Sequence, residues 1–248
     1  MHSTNQIVRF VLIMTSLVAL VLSLMYTGLK GTHDLNEAIY AKKAILAAVQ
    51  NKLGIDASSL PVEKVQEIFD SSITQEVYDM KGNLLTPAQV EDAGYKGGLA
   101  ENVDINKEAK KPESERILPM YKFNDGSNEF TILSVQGKGL WDVIWGNIAL
   151  EKDLKTIAGV DFDHKGETPG LGAEIKDNAA WKKQFIGKSI YDKAGNFTGV
   201  AVIKGGAKEP TWQVDGISGA TITADGVGEM LKRGLNYYGP VLNKMEKS

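Results

Sequence analysis

Residues 215–223 read Asp-Gly-Ile-Ser-Gly-Ala-Thr-Ile-Thr, and a helical pattern follows them. Gly219 and Ala220 leave room for a bulky substituent on Thr221, and exposed N–H groups at a helix start favour a phosphate. The competing reading is an ordinary N-cap, with Ser218 or Thr223 opening the helix. A second cluster, Gly166-Glu167-Thr168-Pro169-Gly170-Leu171-Gly172, fits a tight turn at Pro169-Gly170 that presents Leu171 at a loop tip. A plain surface turn would have the same composition. A third cluster, Gly137-Lys138-Gly139-Leu140-Trp141, can either deliver Trp141 to a ring system or bury it in a core. Two further candidates carry less. His164 has no partner histidine in the body of the chain and reads as a surface loop. Glu167 and Glu174 have the residue type of glycosidase carboxylates, but no sugar-binding aromatic groove accompanies them.

Composition narrows the chemistry further. The chain has 248 residues and no cysteine, which excludes thiolate zinc, Cys-ligated iron–sulfur clusters, attached c-type haem and a cysteine nucleophile. Two of the three histidines, His2 and His33, lie beside the first apolar segment, so neither a multi-histidine metal site nor a His-based triad is expected. A net charge of −3 gives no cationic field for nucleic acid. Gly187-Lys188-Ser189 resembles the end of a P-loop, but position 182 is Lys where that motif needs Gly. No strand–GxGxxG–helix fingerprint is present. Redox or group-transfer chemistry would therefore need an organic cofactor. Of the 26 glycines, 18 fall between Gly137 and Gly239, and all four tryptophans lie in the same stretch. The chemistry is expected there.

The elements that must position these clusters mix both periods. Asp34-Leu-Asn-Glu37 looks like a capping box opening a helical stalk that ends at Gly54, and Ser59-Leu-Pro61 opens a second helix. Residues 75–85 read as a strand running into a Lys81-Gly82-Asn83 turn, and further strands are expected at 117–123 and 129–135 and in the WGNIAL and TIAGVDF runs, with Pro119 demoting its strand to a sheet edge. Residues 87–115 read as a solvated connection. A short helix is expected from Asp177, a hairpin around Lys193-Ala194-Gly195-Asn196, and a last helix from Thr223 to Tyr237, stopped by Gly239-Pro240. The fold class is α+β with a mixed or antiparallel sheet.

Phe10–Leu29 is uncharged between Arg9 and Lys30, and 20 residues at about 1.5 Å rise span a bilayer core of about 30 Å. A cleaved signal peptide would have a shorter apolar core and a small-x-small end, whereas this run ends Met25-Tyr26-Thr27-Gly28, so one uncleaved anchor is expected. One basic residue before the span against Lys30, Lys42 and Lys43 after it would, by count, put the large domain in the cytoplasm.

Together these residues resemble a known family. Asp215–Thr221 is similar to the covalent flavinylation motif of the FMN-binding domain, in which the last Thr is esterified to the phosphate of FMN. With the ETPGLG segment at 167–172, GLW at 139–141 and IALEKDLKTIAGVDF at 148–162, the chain resembles the C subunit of Na+-translocating NADH:quinone reductases. The nearest alternatives are the G subunit of the related Rnf electron-transport complex, which is typically shorter and lacks the GLW–IALEKDL stretch, and a flavin-free membrane-anchored assembly protein.

The resemblance implies an electron relay between NADH and ubiquinone in a Na+-transporting complex of the inner membrane, with other subunits of the complex as partners. It implies a separate flavin transferase that makes the bond from FAD outside that membrane, and hence a periplasmic domain, against the lysine count. Thr221 would carry the FMN and Asp215 would help the transferase recognise it. Ser218, Gly219 and Ala220 would hold the phosphate, with Lys204 and Gly205 as phosphate or ribityl neighbours. Leu140, Trp141, Thr168, Gly170 and Leu171 would wall the ring. The implied organisation is a cytoplasmic N-terminus at 1–9, a transmembrane helix at 10–29, a stalk at 30–54, an N-terminal part of the outer domain at 55–135 and the FMN-binding domain at 136–248.

Overall fold

The computed structural model describes residues 3–247; His2 lies outside the described residues. Two units are distinct, one running through Tyr40 and one beginning at Ala41. The first unit is the greater part of α1, Thr4–Ala47, the only described helix long and apolar enough to cross a membrane. Two of its threonines are satisfied locally: the Thr15 hydroxyl donates to the Val11 carbonyl at 2.9 Å and Thr27 to the Ser23 carbonyl at 2.8 Å, as an apolar surround demands. The capping box expected at Asp34–Glu37 does not form, because the helix runs through it unbroken. A cap needs its first residue out of helical geometry, and the weak formers just ahead of it, Gly31, Thr32 and His33, are not enough to break the helix. The helix expected to reach Gly54 is interrupted: α1 ends at Ala47, and Gly54, with φ +66, caps a separate short helix, α2, Gln50–Leu53.

The second unit continues with α3 (Val62–Ser72), β1 (Ile73–Asp79), α4 (Pro87–Asp92), α5 (Ile105–Glu108), β2 (Ile117–Asn124), β3 (Glu129–Lys138), β4 (Val143–Leu150) and β5 (Ile157–His164). There follow α6 (Glu174–Asp177), α7 (Ala179–Lys183), β6 (Ala201–Ile203), β7 (Gln213–Asp215), α8 (Thr221–Tyr237) and α9 (Gly239–Met245). Strands β1 to β5 form one antiparallel meander in chain order, and β6 pairs with β7 in parallel. The class is α+β, as expected.

Both faces of the meander are buried. Alternate residues (Leu118 and Met120, Leu133 and Val135) enter a core that includes Val227, Leu231 and Leu235 of α8. The others (Tyr121 and Phe123, Phe130 and Ile132) face Leu46, Val65 and Phe69. Two-sided burial is why these strands are apolar on successive residues rather than every second one.

Four expectations are corrected. Pro119 is not on an edge strand, since β2 lies between β1 and β3. Its ring is tolerated because the β2–β3 register begins only at Met120, and beyond it the Tyr238 hydroxyl sits 2.7 Å from the Pro119 carbonyl and 2.9 Å from that of Ser134. The hairpin around Lys193–Asn196 shrinks to a single Tyr191–Phe197 bridge, and β6 turns instead to β7. Residues 87–115 bury Val90, Tyr95, Ala100 and Val103 in the second core rather than forming a solvated connection. The helix expected from Asp177 starts two residues later as α7, because Asp177 ends α6 and the Asn178 side chain accepts from the Trp181 amide at 2.9 Å and caps the new helix.

Candidate functional site

The site is organised by a residue that the sequence reading discounts. Glu167, 5% exposed, follows β5 and opens the ETPGLG loop. One of its oxygens accepts from the amides of Trp141 (2.9 Å) and Asp142 (3.3 Å). The other accepts from the Leu140 amide (3.2 Å) and the Thr223 hydroxyl (2.6 Å). One carboxylate therefore joins the GLW turn, the ETPGLG loop and the first turn of α8. Burial alone would raise this carboxyl, but the bonds from Thr223, Trp141, Asp142 and Leu140 outweigh it and hold the group below its ordinary value.

Glycines clear the space around it. A Cβ on Gly172 would sit 2.4 Å from Thr223 Oγ1 and 2.6 Å from Glu167 Oε2, and one on Gly139 would sit 2.6 Å from Glu167 Oε1. Glu174, half-buried, accepts from the Gly170 and Gly172 amides and clamps the other side of the same loop. The bond from its own amide, with those from Gly170 and Gly172, holds its carboxyl below the ordinary value as well. The Glu167 amide in turn donates to His164 Nδ1 at 3.1 Å, so the half-buried His164 braces the loop. Among the described residues no group of acids and histidines could hold a metal.

Neither Ser218 nor Thr223 caps α8. Ala220 occupies the N-cap with no side-chain cap bond, no acid sits in the first turn, and Thr223 is buried with its hydroxyl committed to Glu167. The amides of the first turn are thus left without a side-chain acceptor, which suits an anion. Thr221, half-buried, is the first residue of α8. Gly219 precedes it with φ +85 and its α-carbon close against the Gly170 carbonyl, where a Cβ would come within 2.9 Å.

The remaining expected residues fall into two groups. Trp141 (63% exposed) and Leu171 (44%) stand out as large apolar side chains in the open, although their loops are pinned; Leu140 is half-buried. Thr168 and Gly170 are exposed apart from the backbone of the turn, which the Thr168 carbonyl closes by accepting from Leu171 at 3.0 Å. Ile222, 60% exposed beside Thr221, is a third apolar side chain, one that its sequence context does not mark. Lys204 and Gly205 are exposed on the turn after β6, Gly205 with φ +82. The Asp215 carboxylate fastens that turn, accepting from the Ala207 amide at 2.7 Å. Ser218 is exposed, while Ala220 is buried.

The model of the FMN-binding domain family matches residues 139–236. The chain is 35% identical over 239 residues to the C subunit of the Na(+)-translocating NADH-quinone reductase of Pseudomonas aeruginosa, covering 89% of this chain and 88% of that one. It is 32% identical over 228 residues to the C subunit of the same enzyme from Vibrio campbellii, covering 84% and 82%. The crystal structure of the C subunit from Parabacteroides distasonis matches with a TM-score of 0.71 at 30% identity, covering 86% of this chain and 96% of that one. NqrC from Shewanella oneidensis matches with a TM-score of 0.67 at 27% identity, covering 84% and 99%.

Proposed function

Because the chain belongs to the C-subunit family of Na+-translocating NADH:quinone reductases, we propose that it relays electrons within that complex through one FMN held covalently on Thr221. The observation that carries the reading is the division of labour between two threonines. Thr223 is buried with its hydroxyl bound, whereas Thr221 opens a helix whose first amides have no side-chain acceptor. The surroundings fit the group: uncapped amides for a phosphate, and Trp141, Leu171 and Ile222 as apolar surfaces on pinned elements for a ring.

Attachment joins Thr221 Oγ to the phosphorus of the FMN half of FAD. The pyrophosphate bond breaks, AMP leaves and the hydroxyl proton is lost. Glu167 does not serve as base, because its oxygens already accept four hydrogen bonds. Activation therefore falls to a separate flavin transferase. Asp215, which shapes the turn beside the motif, aids recognition by that enzyme. Ser218, Gly219 and Ala220 would hold the phosphate, and Lys204 and Gly205 would neighbour the phosphate or ribityl chain. Leu140, Trp141, Thr168, Gly170 and Leu171 would wall the ring. When bound, FMN supplies reversible electron uptake, and the residues around it fix its position and keep water from one ring face. Residues 136–248 are the flavin-carrying part.

A single-pass anchor in α1 places the chain in the membrane with its complex, the inner membrane in this reading. The second unit faces the periplasm, where the transferase works. Co-expression with a flavin transferase, followed by a denaturing gel, is expected to give a band with flavin fluorescence. A colourless band with the transferase active overturns the covalent reading.

A further inference from the structure

A cleft of about 620 Å3 runs between β2, β3 and α8, beside the loop that Glu167 holds. Its floor includes the buried Leu118 and Val135, and its walls carry Lys110, Arg116, Lys138 and Arg233. The two acids that line it are already neutralised, Glu108 by Lys111 and Asp142 by Lys165 at 3.0 Å. No carboxylate pairs with the four cations among the described residues. Arg116 is the most constrained of them. It donates to the carbonyls of Lys111 (3.1 Å) and Ala109 (3.0 Å) and to the Tyr237 hydroxyl (3.0 Å), and it lies 5.4 Å from that ring. Its guanidinium is therefore fixed in place with its charge uncompensated. In a chain of net charge −3, this is a locally cationic groove with an apolar floor. Its wall residue Asp142 also donates its amide to Glu167, so the groove reaches the Trp141 loop.

We propose that this cleft docks an acidic segment, with apolar residues among its carboxylates, from another subunit of the complex, and that docking brings that subunit against the flavin loop. The charge pattern carries the choice of partner: carboxylates would meet Arg116, Arg233, Lys138 and Lys110 while apolar side chains reach Leu118 and Val135. The inference rests on the reading of this chain as an electron-relay subunit.

The test uses the full complex in membranes. A photo-crosslinking residue in place of Lys110 is expected to form an adduct that maps to an Asp/Glu-containing segment of another subunit. Reversal of the three exposed cations (Lys110→Glu, Lys138→Glu and Arg233→Glu together) is expected to slow flavin reduction by NADH about tenfold or more at low salt, with the deficit shrinking at high salt. The same charge change at Lys96, Lys183 and Lys208, which do not line the cleft, is expected to leave the rate unchanged. Covalent flavin content, read on a denaturing gel, separates this inference from the function it rests on, since it should stay at the wild-type level in both variants. Adducts only to lipid, to solvent or to a segment without acids would overturn the proposal, as would equal rates in the two triple variants at full flavin loading.

Discussion

Thr223 donates its hydroxyl to Glu167 across 2.6 Å, fully buried, and so ties the start of α8 to a loop 56 residues earlier in the chain. Because Glu167 also accepts three backbone amides from residues 140–142, this pair is the fastening point of the site. Glu167→Gln removes the charge and turns part of the acceptor into a donor facing other donors. It is expected to cost about 2–3 kcal/mol of stability in denaturant unfolding of the full chain. Thr223→Val should cost less alone, and the double variant should lose less than the sum of the two. Additive losses would mean that the bond does not carry this energy.

The same carboxyl sets a pH dependence. Its folded value lies below its ordinary 4.5, so its contribution is complete above that pH. It is lost as pH falls toward the folded value, where the carboxylate takes up a proton. Acid unfolding of the wild type below about pH 4.5 should therefore be steeper than that of Glu167→Gln. Parallel curves for the two proteins would contradict the assignment.

Trp141 is 63% exposed, and its loop is held by backbone bonds rather than by its ring. Trp141→Ala should then change stability by no more than about 0.5 kcal/mol. On the flavin-loaded protein it should raise flavin emission, because an indole against the ring quenches it. Unchanged emission would place the ring elsewhere.

Much of the site is legible in the sequence. The three glycine-rich clusters stand out as clusters, and they meet in space. The buried acid that joins them does not stand out. Glu167 reads as an ordinary loop acid because its partners, the amides of 140–142 and the Thr223 hydroxyl, are supplied by segments 25 to 56 residues away. Ile222 is hidden for a related reason: a helix pattern marks an apolar residue as inward, and only the packing of Thr223 turns its neighbour out. Local rules also fail where tertiary partners override them. The central position of Pro119 depends on a tyrosine hydroxyl 119 residues away, and the burial of 87–103 depends on the second face of the sheet. By contrast, β2 to β5 and α8 can be read nearly to their ends, since their apolar runs are long and bounded by turns.

Orientation makes a separate demand. A reporter that is active only outside the cytoplasm, fused after the last residue, should be active. An active cytoplasmic reporter at the same position would favour the lysine count and place Thr221 beyond the reach of an external transferase.

The most direct measurement compares two single variants, each co-expressed with a flavin transferase, denatured and examined for flavin fluorescence on the gel band. Thr223→Ala should keep the fluorescent band, although the protein is less stable, and Thr221→Ala should lose it. A fluorescent Thr221→Ala band would contradict the account at its centre.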